Sequence, residues 1–138
     1  RRHYGCVIVK NDEIISTGYN GAPRGRKNCD DLGFCYREQM DIPRGERYEL
    51  CRSVHAEQNA IISAARKDML DSTMFLVGRR KDNKKYEEGA MSCQMCRKMI
   101  INAGIKEVIV RISKTKYIKV NVQEWIDNDD LLKGKTTY

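Results

Sequence analysis

The sequence predicts an α/β domain built on a mixed sheet. Three observations carry that expectation: an opening pair of apolar runs joined by a two-residue turn, a later alternation of helix-like and strand-like segments, and capping residues at the helix boundaries. The predicted order is strand, strand, helix, strand, helix, strand, strand, helix.

Cys6 to Lys10 holds Val7, Ile8 and Val9 in a run and reads as a buried strand. Asn11-Asp12 is a turn signal, and Glu13 to Tyr19 returns as a second strand, so the pair predicts a hairpin. Asn20 to Gly25 is too rich in Gly and Pro for either regular element and reads as a loop at a strand end, where functional groups concentrate. Lys27 to Cys51 has weak periodicity and many charges. It predicts a long irregular segment with one short helix, and so long a connection calls for an organiser such as a metal. Ser53 is placed to cap a helix running to about Lys67, with Ala56, Ala60, Ile61, Ala64 and Ala65 on its inner face. Thr73 to Val77 is the third strand, and the charged stretch from Gly78 to Gly89 reads as an exposed excursion. Ser92 is placed to cap a second helix that Gly104 ends. Glu107 to Ile112 and Tyr117 to Val120 follow as strands. Val122 to Leu132 closes as a helix with Trp125 turned inward.

The length of 138 residues suits a single domain over residues 1–138, and 41% hydrophobic residues allow a packed core. No apolar run approaches the roughly 20 residues that span a bilayer. Residues 1–10 lack the apolar segment of a signal peptide, so a cytoplasmic protein without membrane partners is expected. The chain opens on Arg1 rather than Met, and a preceding segment is expected. A net charge of +7 favours anionic partners, although it is spread along the chain as a solvated surface would be. Without a secretory signal, the six cysteines point to metal ligation before disulfides.

Two short motifs carry chemistry: His55-Ala56-Glu57 and Cys93-Gln94-Met95-Cys96, each at a predicted helix start. Residues three apart share a helix face, so both sulfurs reach one ion. The helix N-terminus favours thiolate, the form that ligates. Two thiolates and an imidazole make three zinc ligands and leave a fourth position open for water, as in catalytic sites. Glu57 lies two residues from His55 and off its helical face. It is placed to move the water's proton to a leaving amine rather than to ligate. Either motif alone occurs in unrelated redox or structural zinc sites. Together, in this order, they form the signature of zinc deaminases, with Ser92 where that signature has Pro.

Around those motifs, Thr17-Gly18-Tyr19-Asn20-Gly21-Ala22-Pro23-Arg24-Gly25, His55-Ala56-Glu57-Gln58-Asn59-Ala60-Ile61 and Ile100-Ile101-Asn102-Ala103-Gly104-Ile105 resemble the deoxycytidylate (dCMP) deaminases of the cytidine deaminase-like family. The similarity runs from about Gly5 to Ile112. It implies zinc on His55, Cys93 and Cys96, proton transfer by Glu57, a sugar or base contact from Asn20, and a pyrimidine carbonyl facing the Ala56 amide. It implies a three-layer α/β/α sandwich around a five-stranded mixed sheet, with an opening helix that this chain lacks. It also implies a homo-oligomer, often a hexamer, turning dCMP into dUMP and ammonia, and in some members control by dCTP and dTTP. The Gly78 to Gly89 excursion departs from the family pattern beside the expected active site and leaves the substrate open.

Cys29, Cys35 and Cys51 are candidates for a second, structural zinc, with His3, Cys6 or a preceding segment as fourth ligand, or else are plain thiols. Cys6 itself reads as a core thiol. Arg24, Arg26 and Lys27 are candidates for a 5′-phosphate contact or a solvated loop. Tyr117 is a candidate to stack on a base or simply to pack. Three rival readings remain: a deaminase of another nucleoside, nucleotide or nucleic-acid base; a non-catalytic zinc module that binds RNA or protein; and thiol redox through Cys93 and Cys96.

Overall fold

The computed structural model describes residues 2–129. Its centre is a five-stranded mixed sheet, order β2-β1-β3-β4-β5, made of β1 (Arg2–Lys10), β2 (Glu13–Tyr19), β3 (Thr73–Arg80), β4 (Glu107–Arg111) and β5 (Tyr117–Asn121). β3 and β4 run parallel and the other neighbours antiparallel. Asn11 and Asp12 hold φ of 51° and 62°, the left-handed pair whose twist suits a two-residue hairpin.

One sheet face is apolar at every second residue. Ile8, Met74, Val108 and Val120 lie in register across four strands, with Cys6, Leu76 and Val110 beside them, all buried. Helices α3 (Ala56–Ile62) and α5 (Gln94–Ala103) cover this face, adding Ala56, Ala60, Ile100 and Ala103 to the same core. Small residues let α3 sit close: a Cβ on Gly18 of β2 would stand 2.5 Å from the Ala60 nitrogen. The Ser16 hydroxyl donates to the Ala60 carbonyl and pins the helix to the same strand. α6 (Val122–Asp127) packs Trp125 against the core as expected, with the Arg97 guanidinium 5.0 Å from its ring centroid. Residues 130–132 of the expected helix lie outside the described residues.

Several boundaries differ from expectation. β1 begins at Arg2 rather than Cys6 and β3 runs to Arg80 rather than Val77, because their ends pair with each other, Arg2 with Arg80 and Tyr4 with Gly78. The excursion therefore shrinks to residues 81–89, a turn tied back where the Glu87 amide donates to the Gly78 carbonyl at 2.8 Å. The cap of α3 is His55, not Ser53, and the cap of α5 is Cys93, not Ser92. α3 ends at Ile62, five residues early. There the Ser63 hydroxyl bonds back to the Asn59 carbonyl at 2.8 Å, and a separate turn, α4 (Arg66–Met69), follows.

The stretch from Lys27 to Cys51 holds three short turns rather than one helix: α1 (Cys29–Leu32), α2 (Tyr36–Gln39) and a 3-10 turn over Tyr48–Leu50. A buried arginine organises it. The Arg37 Nη2 donates to the carbonyls of Pro43 and Glu46, both at 2.7 Å, and the guanidinium lies 4.5 Å from the Tyr48 ring centroid. Among the described residues, no helix is long and apolar enough to cross a membrane.

Candidate active site

Two helix starts meet at one end of the sheet. β2 leads into the Asn20–Gly25 loop, whose Gly21 pairs with Val54 through hydrogen bonds of 2.7 and 3.2 Å. That bridge sets His55 at the start of α3, with its backbone extended (φ −75°, ψ 157°) and its amide donating to Gln58 Oε1 at 2.8 Å. Cys93 occupies the same position on α5 (φ −69°, ψ 166°). A residue at the cap and the one three places on turn their side chains together, which brings Cys93 and Cys96 to one point.

The His55 Nδ1 lies 3.5 Å from the Cys93 sulfur and 3.4 Å from the Cys96 sulfur. Among the described residues these three are the one group of His, Cys, Asp or Glu with ligand atoms gathered within 4.8 Å of one another. The Cys96 thiol beside it draws Cys93 down to about 4 against the pull of burial, with His55 assisting. Cys96 is raised in turn, first by that same contact and then by burial. Burial would lower His55, yet the Cys51 and Cys93 sulfurs outweigh it and raise the imidazole to about 10. The trio thus holds protons and charge that a cation would displace. One nitrogen and two sulfurs suit zinc, and three protein donors leave the fourth tetrahedral position free.

Glu57, the second residue of α3, is 5% exposed, and its carboxyl is raised above the usual range, first by burial. The Ser92 hydroxyl is buried, aligned with no hydrogen-bond partner among the described residues, and close enough to bear on that carboxyl. Ser92 therefore faces inward instead of capping α5. Ala56, between His55 and Glu57 in the chain, is fully buried. A cavity of about 220 Å³ opens beside the trio, with Tyr4, Arg44, Tyr48, Ser92, Cys93 and Arg97 in its wall. Tyr48 sets its ring edge-on to His55, centroids 5.3 Å apart, so the buried Arg37 supports the ligand imidazole through Tyr48.

Other expected residues fall elsewhere. Asn20 spends both ends of its amide on β1: Oδ1 accepts from the Tyr4 amide at 2.8 Å and Nδ2 donates to the Arg2 carbonyl at 3.1 Å. Its first task is to seal the strand end, which leaves one donor hydrogen and one lone pair for a ligand. Arg24, Arg26 and Lys27 are exposed and outside the cavity wall, and Tyr117 is 67% exposed and also outside it. Cys29, Cys35 and Cys51 are near enough to raise Cys29 after burial, but are not gathered as the trio is. Cys51 stands by His55 instead, where the imidazole draws its thiol down against the effect of burial. Cys6 is a buried core thiol, as expected. The sequence pattern does not single out Arg37, Arg44 and Tyr48. Their only sequence signal was a charged, aromatic stretch without periodicity.

Comparison with known proteins bears on this geometry. A deoxycytidylate deaminase of Schizosaccharomyces pombe is 33% identical over 113 residues, covering 82% of this chain and 31% of that protein, so the chain spans under a third of that relative's length. The crystal structure of the dCMP deaminase from cyanophage S-TIM5 in complex with dCMP and dUMP is 29% identical, with a TM-score of 0.50 over 78% of this chain and 64% of that one. A cytidine deaminase from Burkholderia pseudomallei shares the fold alone, at 17% identity and a TM-score of 0.55 over 90% of this chain and 78% of that one. Residues 1–112 match the family described as the cytidine and deoxycytidylate deaminase zinc-binding region. With its ligand trio and buried glutamate placed at two facing helix starts, the chain belongs to the cytidine and deoxycytidylate deaminase zinc-binding family.

Proposed function

We propose that the protein hydrolytically deaminates dCMP to dUMP and ammonia. The observation that carries this reading is the convergence of His55, Cys93 and Cys96 on one point, with the buried Glu57 carboxyl beside them. His55, Cys93 and Cys96 would hold one zinc ion, which when bound lowers the pKa of water in its open position and so supplies a nucleophile near neutral pH.

The protein's own groups do the rest. Glu57 accepts a proton from the attacking water and delivers it to ring N3, then carries the proton of the new C4 hydroxyl to the exocyclic nitrogen, which leaves as ammonia as the C4 carbonyl forms. A carboxyl raised by burial is suited to both halves of that transfer, because it neither holds the proton too loosely to receive it nor too tightly to release it. Ala56 keeps its backbone between the ligand and the base, so its amide is available to the pyrimidine carbonyl. Asn20 fixes the strand end and offers its remaining polar capacity to the sugar. A purely structural zinc site has no use for a buried carboxyl at the metal, which favours catalysis over a binding module.

The resemblance to nucleotide deaminases extends the proposal to a cytoplasmic homo-oligomer, a hexamer in the form common in that family, under control of dCTP and dTTP. The test is ammonia release from dCMP, CMP, deoxycytidine and single-stranded DNA by metal-replete protein, with zinc content measured alongside. Turnover of dCMP with one zinc per chain is expected. Stoichiometric zinc with no release from any substrate would refute the reading.

A further inference from the structure

Among the described residues, the cavity beside Cys93 has no acidic residue in its wall, yet two arginines, Arg44 and Arg97, contribute to it. Neither charge is fully cancelled among the described residues. Arg97 gives its Nε to the Ser92 carbonyl at 3.0 Å and rests on Trp125. Arg44 shares one carboxylate with a second guanidinium: Glu87 takes Arg2 Nε on Oε2 at 2.8 Å and Arg44 Nη1 on Oε1 at 3.3 Å. One negative charge divided between two positive ones leaves a net positive charge at the cavity mouth, and low-dielectric walls concentrate it.

Arg44 is also held in place. Its Nη2 donates to the Gly89 carbonyl at 3.0 Å, and a Cβ on Gly89 would lie 3.1 Å from that nitrogen, so the close approach relies on glycine. Glu87 is 9% exposed and tied to β1 through Arg2, which makes the anchor firm. The Arg44 side chain is still 48% exposed, so the rest of the fork reaches a ligand. A guanidinium fixed beforehand loses little entropy on taking a phosphate, and its fork matches two phosphate oxygens. At about 220 Å³ the cavity is smaller than the ~300–1,000 Å³ typical of a whole small-molecule site, which suits part of a nucleotide, such as its sugar-phosphate, rather than the whole.

We propose that Arg44 seats the 5′-phosphate of the substrate and so selects a nucleotide over a nucleoside. This rests on the deaminase reading above and places the phosphate at the cavity mouth rather than on Arg24, Arg26 or Lys27. The 81–89 turn gains a purpose in the same stroke, since Glu87 and Gly89 hold the guanidinium in place.

The experiment measures dUMP and deoxyuridine binding to zinc-loaded protein by calorimetry, in wild type, Arg44→Met, Arg44→Lys and Arg24→Met. Methionine keeps an apolar stem and removes the charge, while lysine keeps the charge and loses the fork. The expected result is a preference for dUMP over deoxyuridine that falls roughly 10- to 100-fold in Arg44→Met, and by less in Arg44→Lys. An unchanged preference in Arg44→Met, equal loss of both ligands, or a loss confined to Arg24→Met would each overturn the assignment. Wild type that turns over dCMP while Arg44→Met keeps its KM sinks this inference alone. Wild type that releases no ammonia at all sinks the reading on which it rests.

Discussion

Replacing Gly18 with alanine tests how the site is held together. The added Cβ would stand 2.5 Å from the Ala60 nitrogen and 3.1 Å from its Cα, and closer still to the Ala56 carbonyl oxygen. All three are backbone atoms of α3 or its first turn, so no side chain can swing aside. Restoring ordinary contact near 3.4 Å moves the helix by about 1 Å. Overpacking of this kind costs about 3 kcal/mol where backbone must yield. Restricting the unfolded chain returns only about 0.4–1 kcal/mol, so the net loss is about 2 kcal/mol. The same shift displaces His55 and Glu57, which begin α3, and a 1 Å misplacement of catalytic groups costs about 10²-fold in rate. Gly5→Ala is the control, because its Cβ would meet nothing nearer than Val77 Cγ1 at 3.8 Å. Urea unfolding at unchanged m, together with kcat/KM, reads both effects. A Gly18→Ala protein with wild-type midpoint and activity would refute the claim that α3 is seated directly on the backbone of β2.

Three further outcomes are expected. Glu57→Gln lowers kcat by about 10²- to 10⁴-fold while zinc content stays at one per chain; undiminished ammonia release would remove Glu57 from the proton path. Arg37→Met releases the Pro43 and Glu46 carbonyls and the stack on Tyr48, costing about 2 kcal/mol in urea unfolding. It also speeds zinc loss to a chelator, and wild-type metal retention would show that Tyr48 does not depend on Arg37 to support His55. Glu107 is held below the usual carboxylate range, first by Lys119 at 3.0 Å and then by the Thr73 hydroxyl at 2.8 Å. A depressed carboxyl adds stability above its unfolded pKa of roughly 4.3 and loses it as pH falls through the lower folded value. Because Lys119 is 61% exposed, the contribution is under about 1 kcal/mol and shrinks with salt. Glu107→Gln therefore flattens the acid limb of a stability-against-pH curve, and an identical limb would exclude the pair as a contributor.

The central strands of the sheet show what local pattern carries. Val7 to Val9, the Asn11-Asp12 turn and the alternation at Met74–Leu76 and Val108–Val110 are written in residue type, because a strand with one buried face must alternate and a tight hairpin needs residues that accept positive φ. The ligand trio was equally legible, since few residue types bind zinc and their spacing at helix starts is short-range. Arg37 was not. A charged residue in an aperiodic stretch reads as surface until the folded chain buries it against two carbonyls and an aromatic ring.

The caps were misplaced for a related reason. Serine is the better capper by propensity, so Ser53 and Ser92 were the natural choices. His55 and Cys93 occupy the extended cap positions instead, where the His55 Nδ1 and the Cys93 sulfur come within 3.5 Å of each other. By itself, then, the amino-acid sequence determined the mixed sheet, the order of its main elements, the candidate trio His55, Cys93 and Cys96 and the neighbouring Glu57, all of which follow from patterns a few residues long. Only the tertiary structure decided where the strands end, that Asn20 serves β1, that Ser92 turns inward, and that Arg44 rather than the Arg24–Lys27 loop stands at the cavity. Those depend on pairings between residues 16 to 85 positions apart, Asn20 with Tyr4, Arg44 with Gly89 and Arg2 with Glu87 among them, and such partners become neighbours only once the core has closed.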